Sequence, residues 1–144
     1  MLLYHGSNIQ VSNPQILKSD RRLDFGKGFY LTSSFEQASR WAELTVKRRE
    51  TGKEAVSVFE FDGTSVSDLK ILRFTQAQKE WLEYVTLNRK NQEIPNDDYD
   101  IVIGPVANDR TMPVISLYFS GIYDIEETIK RLMPQKLCDQ YTFR

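Results

Sequence analysis

The sequence predicts a single α+β domain. Stretches with the periodicity of strands and of helices alternate irregularly, without the repeated strand–helix–strand units of a doubly wound sheet. The length of 144 residues fits one domain, and a hydrophobic content of 40% supplies a core that needs no disulfides or structural metals. No internal repeat, low-complexity tract or linker divides the chain. We therefore expect one domain over residues 1–144.

The first half of the chain is predicted to place strands around one helix. Three stretches are apolar or alternating over strand length: Leu2–His5, Phe25–Leu31 and Ala55–Phe61. Capping-box patterns at Ser33 and Ser34 predict the start of a helix between the second and third strands. Gly52 predicts its end.

The second half continues the same mixture. Helices are predicted from Thr75 to about Lys90 and from Asp124 to Leu132, each beginning at a residue that can cap it. Tyr99–Ile103 is a short apolar run that ends at a glycine and a proline, which indicates a buried strand. Lys136–Arg144 predicts the last strand.

Composition excludes several classes of protein. The formal net charge is −1, and no apolar run approaches the roughly 18 residues of a membrane span, so we expect no membrane association. The single Cys138 excludes an internal disulfide, and the single His5 leaves no Cys/His zinc cluster. The N-terminus lacks the features of an export signal. We expect a cytoplasmic protein without a metal.

The near-zero net charge hides an uneven distribution. Residues 1–49 carry eight Lys/Arg against four Asp/Glu, whereas residues 50–144 carry eleven against sixteen. A basic first third could attract a phosphate-bearing ligand or a nucleic acid. The alternative is a solvated helix end, where Lys47, Arg48 and Arg49 complement the helix dipole.

Two short motifs stand out in the basic third. His5-Gly6-Ser7 ends the first predicted strand, and Gly26-Lys27-Gly28-Phe29-Tyr30 leads into the second. Glycines allow a backbone to approach a ligand closely, and a tyrosine offers a flat face. Taken separately, a single histidine is more often structural than catalytic, and a Gly-x-Gly pattern is explained by a turn before a strand.

Together the two motifs resemble the nicotinamide pocket of ADP-ribosyltransferases, in the branch shared with poly-ADP-ribose polymerases. In that branch a second aromatic residue follows the tyrosine by eleven positions, where this chain has Trp41. A third element, usually glutamate, begins a late strand. This chain has Gln140 there, within Asp139–Phe143. The resemblance covers residues 4–141.

The resemblance implies an NAD site formed by His5, Gly6, Ser7, Gly28, Tyr30, Thr32 and Trp41. His5 would bind the ribose nearer the adenine. Gly6 would hold the nicotinamide amide through its backbone, with help from the Ser7 hydroxyl. Tyr30 and Trp41 would enclose the cationic nicotinamide ring. Packing in the core explains Trp41 almost as well, because it borders the apolar stripe of its helix.

Gln140 is the main departure from the family pattern. A carboxylate there would bond the ribose on the nicotinamide side and stabilise developing positive charge. A neutral amide keeps the hydrogen bond, and losing one such electrostatic contact costs about 2.7–4 kcal/mol in the barrier. Three outcomes stay open: a slow or mono-ADP-ribosylating enzyme, an enzyme that uses another acid, and a protein that only binds.

The wider pattern resembles a group of short bacterial proteins in the same superfamily. The shared stretches correspond here to Asp24–Thr32, to Trp81 with Asn88-Arg89, and to Ile103–Asp109. That group is associated with toxin–antitoxin modules. The resemblance therefore implies an intracellular toxin and a small antitoxin protein that neutralises it.

Polar residues outside the NAD motifs are candidates for binding an acceptor or supporting the site. Asn108, Asp109 and Arg110 follow a buried strand, where loops often carry function, although a turn capped by its own side chains is an equal alternative. Asn88 falls on the apolar stripe of its helix and must be satisfied there, either as a structural tie or toward the Asn108 loop. Arg89 follows it.

The expected fold is therefore that of ADP-ribosyltransferases, with two small splayed sheets around an NAD cleft. The expected activity is transfer of ADP-ribose from NAD to a macromolecule, a protein or a nucleic acid. Alternatives on the same fold are NAD hydrolysis and an RNA 2′-phosphotransferase. A catalytically silent module that binds NAD or ADP-ribose is the alternative from another class.

Overall fold

The computed structural model describes residues 1–16 and 23–144. Within these ranges the strands are β1 (Leu2–Ser7), β2 (Phe29–Thr32), β3 (Ala55–Glu60), β4 (Ile71–Arg73), β5 (Ile101–Pro105) and β6 (Asp139–Phe143). The helices are α1 (Phe35–Arg49), α2 (Lys79–Arg89), α3 (Met112–Phe119) and α4 (Ile125–Leu132). The prediction of an α+β protein is confirmed.

The strands form one mixed sheet in the order β3-β1-β2-β6-β5-β4. Neighbours run antiparallel except β4 and β5, which are parallel. The expectation of two separate small sheets was wrong, because β2 and β6 link both halves through backbone hydrogen bonds. The link between β1 and β2 is narrow, since their register pairs Tyr4 with Thr32 alone, whereas β1 pairs with β3 over six positions.

Helix α1 begins where its capping pattern predicted. Ser34 is the N-cap, and its hydroxyl accepts a hydrogen bond from the N–H of Gln37 over 3.1 Å. The helix ends earlier than predicted, because Glu50 adopts the left-handed conformation with φ of 55°. Gly52 also has positive φ, and a Cβ there would lie 2.1 Å from the carbonyl oxygen of Asn8. This glycine therefore lets the chain pass close to the end of β1.

Two hydrophobic cores lie on opposite faces of the sheet. One is built around Trp81 and Phe25, and the helix residues that pack with them. The other contains Leu3, Phe29 and Tyr141. The alternation of side chains along a strand explains this division, since neighbours on β2 and β6 point to opposite faces.

Three features of the second half differ from the sequence prediction. Helix α2 begins at Lys79, four residues after Thr75, and strand β4 and helix α3 were not predicted. Strand β4 has only three residues, too few for a periodic signal, and depends on its parallel pairing with β5. Helix α3 is mostly apolar, so it lacks the polar face that marks an amphipathic helix. Among the described residues, no helix is long and apolar enough to cross a bilayer.

Candidate functional site

A cavity of about 810 Å³ lies between the end of β1, the loop before β2, helix α1 and the loop after β5. It gathers candidate residues that are far apart in the sequence. The candidates on its wall are His5, Gly6, Ser7, Gly28, Tyr30, Trp41, Arg89, Asn108, Asp109 and Gln140. The chain thus brings most of the residues selected from sequence to one concave surface, which is typical of ligand sites.

His5, on β1, is held as one neutral tautomer. Its Nδ1 lies 2.7 Å from the carbonyl oxygen of Tyr30, and its ring stacks on Phe29 with centroids 4.2 Å apart. Burial lowers the pKa of the imidazole, against the opposing effect of the Tyr30 carbonyl. A carbonyl can only accept, so the neutral ring carries its proton on Nδ1. This assignment leaves Nε2 as a hydrogen-bond acceptor.

The Tyr30 hydroxyl closes the turn that precedes β2. It donates to the carbonyl of Gly26 over 2.6 Å and accepts from the N–H of Phe25 over 3.0 Å. Burial, followed by the negative charge of Asp24, raises the pKa of this hydroxyl, so it stays protonated. The hydroxyl oxygen is therefore hydrogen-bonded within the protein, and we expect Tyr30 to contact a ligand in the cavity through its ring.

Trp41 lies on α1 and is half-buried on the cavity wall. It belongs to neither of the two core clusters that the described residues form. The other tryptophan, Trp81, has the opposite environment: it is 1% exposed, and its indole N–H donates to the carbonyl of Pro105. The location of Trp41 favours a binding surface over the core role that the sequence left open.

Both candidate glycines, Gly6 and Gly28, are required by packing as well as by the cavity. A Cβ on Gly6 would lie 1.8 Å from the carbonyl oxygen of Ala38, so only glycine lets α1 approach β1 this closely. A Cβ on Gly28 would lie 2.5 Å from the Thr142 methyl group. These glycines therefore set the distances between the elements that bound the site.

Gln140 and Asp24 form a buried pair at the floor of the cavity. The Gln140 amide Nε2 donates to Oδ2 of Asp24 over 2.9 Å, and the two residues are 2% and 4% exposed. Asp24 also accepts from Nε of Arg89 over 2.7 Å and from the N–H of Ala107 over 3.1 Å. Asp24 was not predicted as a site residue, although it begins the Asp24–Thr32 motif.

Three candidates lie away from the cavity wall. Thr32 was expected to touch NAD, but it is fully buried, and its hydroxyl donates to the carbonyl of Asp139 over 3.0 Å. Asn88 is a structural tie, because its amide donates to the carbonyl of Tyr84 one helical turn earlier. Arg110 is exposed on the surface and is not part of the cavity lining.

The loop after β5 combines a local cap with a contact across the cavity edge. The Asn108 side chain accepts from the N–H of Arg110 over 3.0 Å and from the N–H of Thr111 over 3.2 Å, as the turn interpretation predicted. Asp109 differs, because its carboxylate accepts from Nε of Arg40 on α1 over 2.9 Å. An exposed ion pair thus joins α1 to this loop beside the site.

Three basic residues also line the cavity. Lys27, Arg48 and Arg49 are among the lining residues, and none of them appears in the ion pairs of the described residues. Arg49 donates to the Asn8 side chain over 3.0 Å. Burial and the adjacent Arg49 lower the pKa of Arg48, as expected for neighbouring like charges. These positive charges favour an anion in the cavity.

Comparison with known proteins gives a family and no activity. The family model described as "Protein of unknown function (DUF3990)" matches residues 1–144, and the chain therefore belongs to that family. No curated protein matches the chain, and no solved structure does.

Proposed function

We propose that this DUF3990 protein binds NAD in the cavity and transfers ADP-ribose from it to a macromolecular acceptor, releasing nicotinamide. One observation carries the proposal: His5, Tyr30, Trp41 and Gln140 line the same cavity. These residues come from three strands and a helix, and they are the ones on which the resemblance to ADP-ribosyltransferases rests.

The proposed fold is accordingly that of ADP-ribosyltransferases. The sheet supports this proposal at its narrow link, where β1 and β2 pair only through Tyr4 and Thr32. Beyond that pair, β1 continues along β3 to Ser7 while β2 follows β6. The strands diverge at the place where the cavity lies, and a dinucleotide would enter between them.

His5 would accept a hydrogen bond from the ribose nearer the adenine. Its Nδ1–H is committed to the Tyr30 carbonyl, so Nε2 presents a lone pair. A ribose hydroxyl can donate to that lone pair. The role requires a neutral imidazole, and the lowered pKa of His5 keeps it neutral at physiological pH.

Tyr30 and Trp41 would enclose the nicotinamide ring. The ring is cationic before cleavage, and a cation over an aromatic face gains about 1–2 kcal/mol when water is excluded. Because the Tyr30 hydroxyl is bonded within the 23–26 turn, the tyrosine ring is already fixed before a ligand arrives. Gly6 and Ser7, which line the same cavity, would hold the carboxamide.

The basic side chains that line the cavity would receive the pyrophosphate. Lys27, Arg48 and Arg49 line the cavity, and the first 49 residues carry the excess positive charge of the chain. Charge attraction at exposed side chains weakens as ionic strength rises. NAD affinity should therefore fall with added salt.

Gln140 would bond a ribose hydroxyl on the nicotinamide side. Cleavage leaves positive charge on that ribose, which a neutral amide stabilises less than a carboxylate does. We therefore propose slow transfer of single ADP-ribose groups. The same amide favours a second candidate function, a module that binds NAD or ADP-ribose without cleaving it.

The acceptor would approach beside the loop after β5. Asn108 and Asp109 line this edge of the cavity, whereas Arg110 points to the surface. Arg89 would support the site indirectly, because it donates a hydrogen bond to the buried Asp24 carboxylate. The acceptor that contacts this loop would be a protein or a nucleic acid, and mass spectrometry of the modified macromolecules identifies which.

The experiment is incubation with NAD and cell extract, followed by mass spectrometry of nicotinamide and of modified macromolecules. Transfer predicts nicotinamide together with added ADP-ribose, and nicotinamide with free ADP-ribose would instead indicate hydrolysis. NAD binding with neither product would support the silent module. His5→Ala and Tyr30→Ala should abolish product formation, and full activity in both would contradict the site.

The proposed biological role is that of an intracellular toxin with a neutralising partner protein, and it rests on the family resemblance. Induced expression in a bacterial host should arrest growth, and the His5→Ala variant should not. Harmless expression of the active enzyme without any partner would contradict this role.

A further inference from the structure

The buried carboxylate of Asp24 lies at the centre of a hydrogen-bond network formed by protein groups. It accepts from Nε of Arg89, with which it forms an ion pair, from the N–H of Ala107 and from Nε2 of Gln140. Its partners lie on α2, in the loop after β5 and on β6. Asp24 therefore joins three separate elements at the floor of the cavity.

The network fixes the orientation of the Gln140 amide. Nε2 faces Oδ2 of Asp24 at 2.9 Å and the carbonyl oxygen of Pro105 at 3.4 Å, so both neighbours are acceptors. A flipped amide would set Oε1 against two other acceptors and lose both bonds. Oε1 must therefore face away from Asp24, and it accepts no hydrogen bond from the residues the structure describes.

We propose that Asp24 is the positioning residue of this site: its carboxylate holds the Gln140 amide so that Oε1 can accept a hydrogen bond from a ribose hydroxyl of the bound dinucleotide. The proposal rests on the proposed function, since it names the contact that the same site makes to its substrate. Asp24 itself acts only through Gln140.

The pair also accounts for glutamine at position 140. A glutamate would set two carboxylates about 2.9 Å apart in a buried place, and like charges at that distance cannot both ionise. Gln140→Glu alone therefore creates a conflict rather than a better active site. Exchanging the groups, with asparagine at 24 and glutamate at 140, removes the second carboxylate and lets the asparagine amide nitrogen donate to the glutamate, although the Ala107 N–H then loses its acceptor.

The test is a cycle of Asp24→Asn, Gln140→Glu and the double variant, read by the kcat and KM of nicotinamide release from NAD. Each single change should lower kcat by at least about tenfold, with a smaller effect on KM, because the contact matters most as charge develops on the ribose. The double variant should recover at least about tenfold over Gln140→Glu. Full activity of Gln140→Glu, or a double variant no better than Gln140→Glu, would overturn the proposal.

Two control variants separate positioning from general loss of stability. Gln92→Glu makes the same chemical change on the exposed surface and should leave kcat unchanged. Asp97→Asn breaks another largely buried ion pair, that with Arg144, away from the cavity lining. It should lower Tm without the fall in kcat. An equal fall in kcat in Asp97→Asn would show that the fall in Asp24→Asn comes from lost stability, and it would overturn the proposal.

A second readout keeps this inference separate from the proposed function. In protein labelled with ¹⁵N-glutamine, the side-chain amide signal of Gln140 should shift strongly in Asp24→Asn, since its acceptor is changed. An unmoved signal would overturn the positioning claim. Wild-type protein that releases no nicotinamide would contradict the proposed function, and the amide signal would still decide whether Asp24 orients Gln140.

Discussion

The amide nitrogen of Gln140 lies 2.9 Å from the carboxylate of Asp24, with both side chains buried below the candidate site. This contact joins the last strand to the turn before β2 across 116 positions of sequence. In the sequence alone, Gln140 replaces the glutamate of the family pattern, which indicates that the site has lost a carboxylate. The structure places a carboxylate, which forms an ion pair with Arg89, one hydrogen bond away from the amide.

The close approach of α1 to β1 predicts that Gly6→Ala is strongly destabilising. The added Cβ would lie 1.8 Å from the Ala38 carbonyl oxygen, so backbone must move. Overpacking typically costs about 1–3 kcal/mol, and a backbone clash should reach the upper end. Thermal or urea unfolding measures the loss. Gly63→Ala is the control, because a Cβ there meets no atom within 4 Å, and equal stability in both variants would contradict the packing described.

The bonded hydroxyl of Tyr30 predicts different outcomes for two substitutions. Tyr30→Phe keeps the ring but leaves the buried N–H of Phe25 without its acceptor, which should cost about 1–3 kcal/mol of stability. Tyr30→Ala also removes the ring, so its NAD affinity should fall much further than that of Tyr30→Phe. Calorimetric titration with NAD compares them. Equal losses of affinity would show that the hydroxyl, and not the ring, makes the contact.

The environment of His5 predicts how stability depends on pH. Its pKa is lower in the folded protein than the ordinary value of 6.5, so the unfolded chain binds more protons between those two values. The free energy of unfolding should therefore decrease as pH falls from 6.5 through the folded pKa. The chain has a single histidine, so one imidazole signal in a proton NMR titration reports that pKa directly. A midpoint at or above 6.5 would contradict the buried neutral ring.

The contrasting positions of the two tryptophans predict a fluorescence response. Trp41 lines the cavity, whereas Trp81 is 1% exposed in the core. Nicotinamide bound against Trp41 should quench the fluorescence, and Trp41→Phe should abolish that saturable quenching while Trp81 still emits. Saturable quenching that persists in Trp41→Phe would place the nicotinamide elsewhere.

Much of the fold follows from local patterns. The caps at Ser34 and Asp124 were predicted from sequence and are present, each with a side chain that accepts from the N–H three residues on. Strand β4 was missed because three residues cannot show a period. The single sheet was missed because it depends on pairing between β2 and β6, which are more than a hundred residues apart.

The candidate site was predictable where its residues form short motifs. His5, Tyr30 and Trp41 were selected from sequence, and the fold brings them to one cavity. Asp24 was not selected, because its significance lies in partners 65 and 116 positions away. Thr32 was selected for its place in a motif, but alternation along β2 and pairing with β6 bury it completely.

The proposed NAD site can be tested by a crystal structure of the protein soaked with NAD. We expect the nicotinamide ring between Tyr30 and Trp41, with ribose hydroxyls on Nε2 of His5 and on Oε1 of Gln140. A dinucleotide bound outside this cavity, or a cavity that stays empty at millimolar NAD, would contradict it.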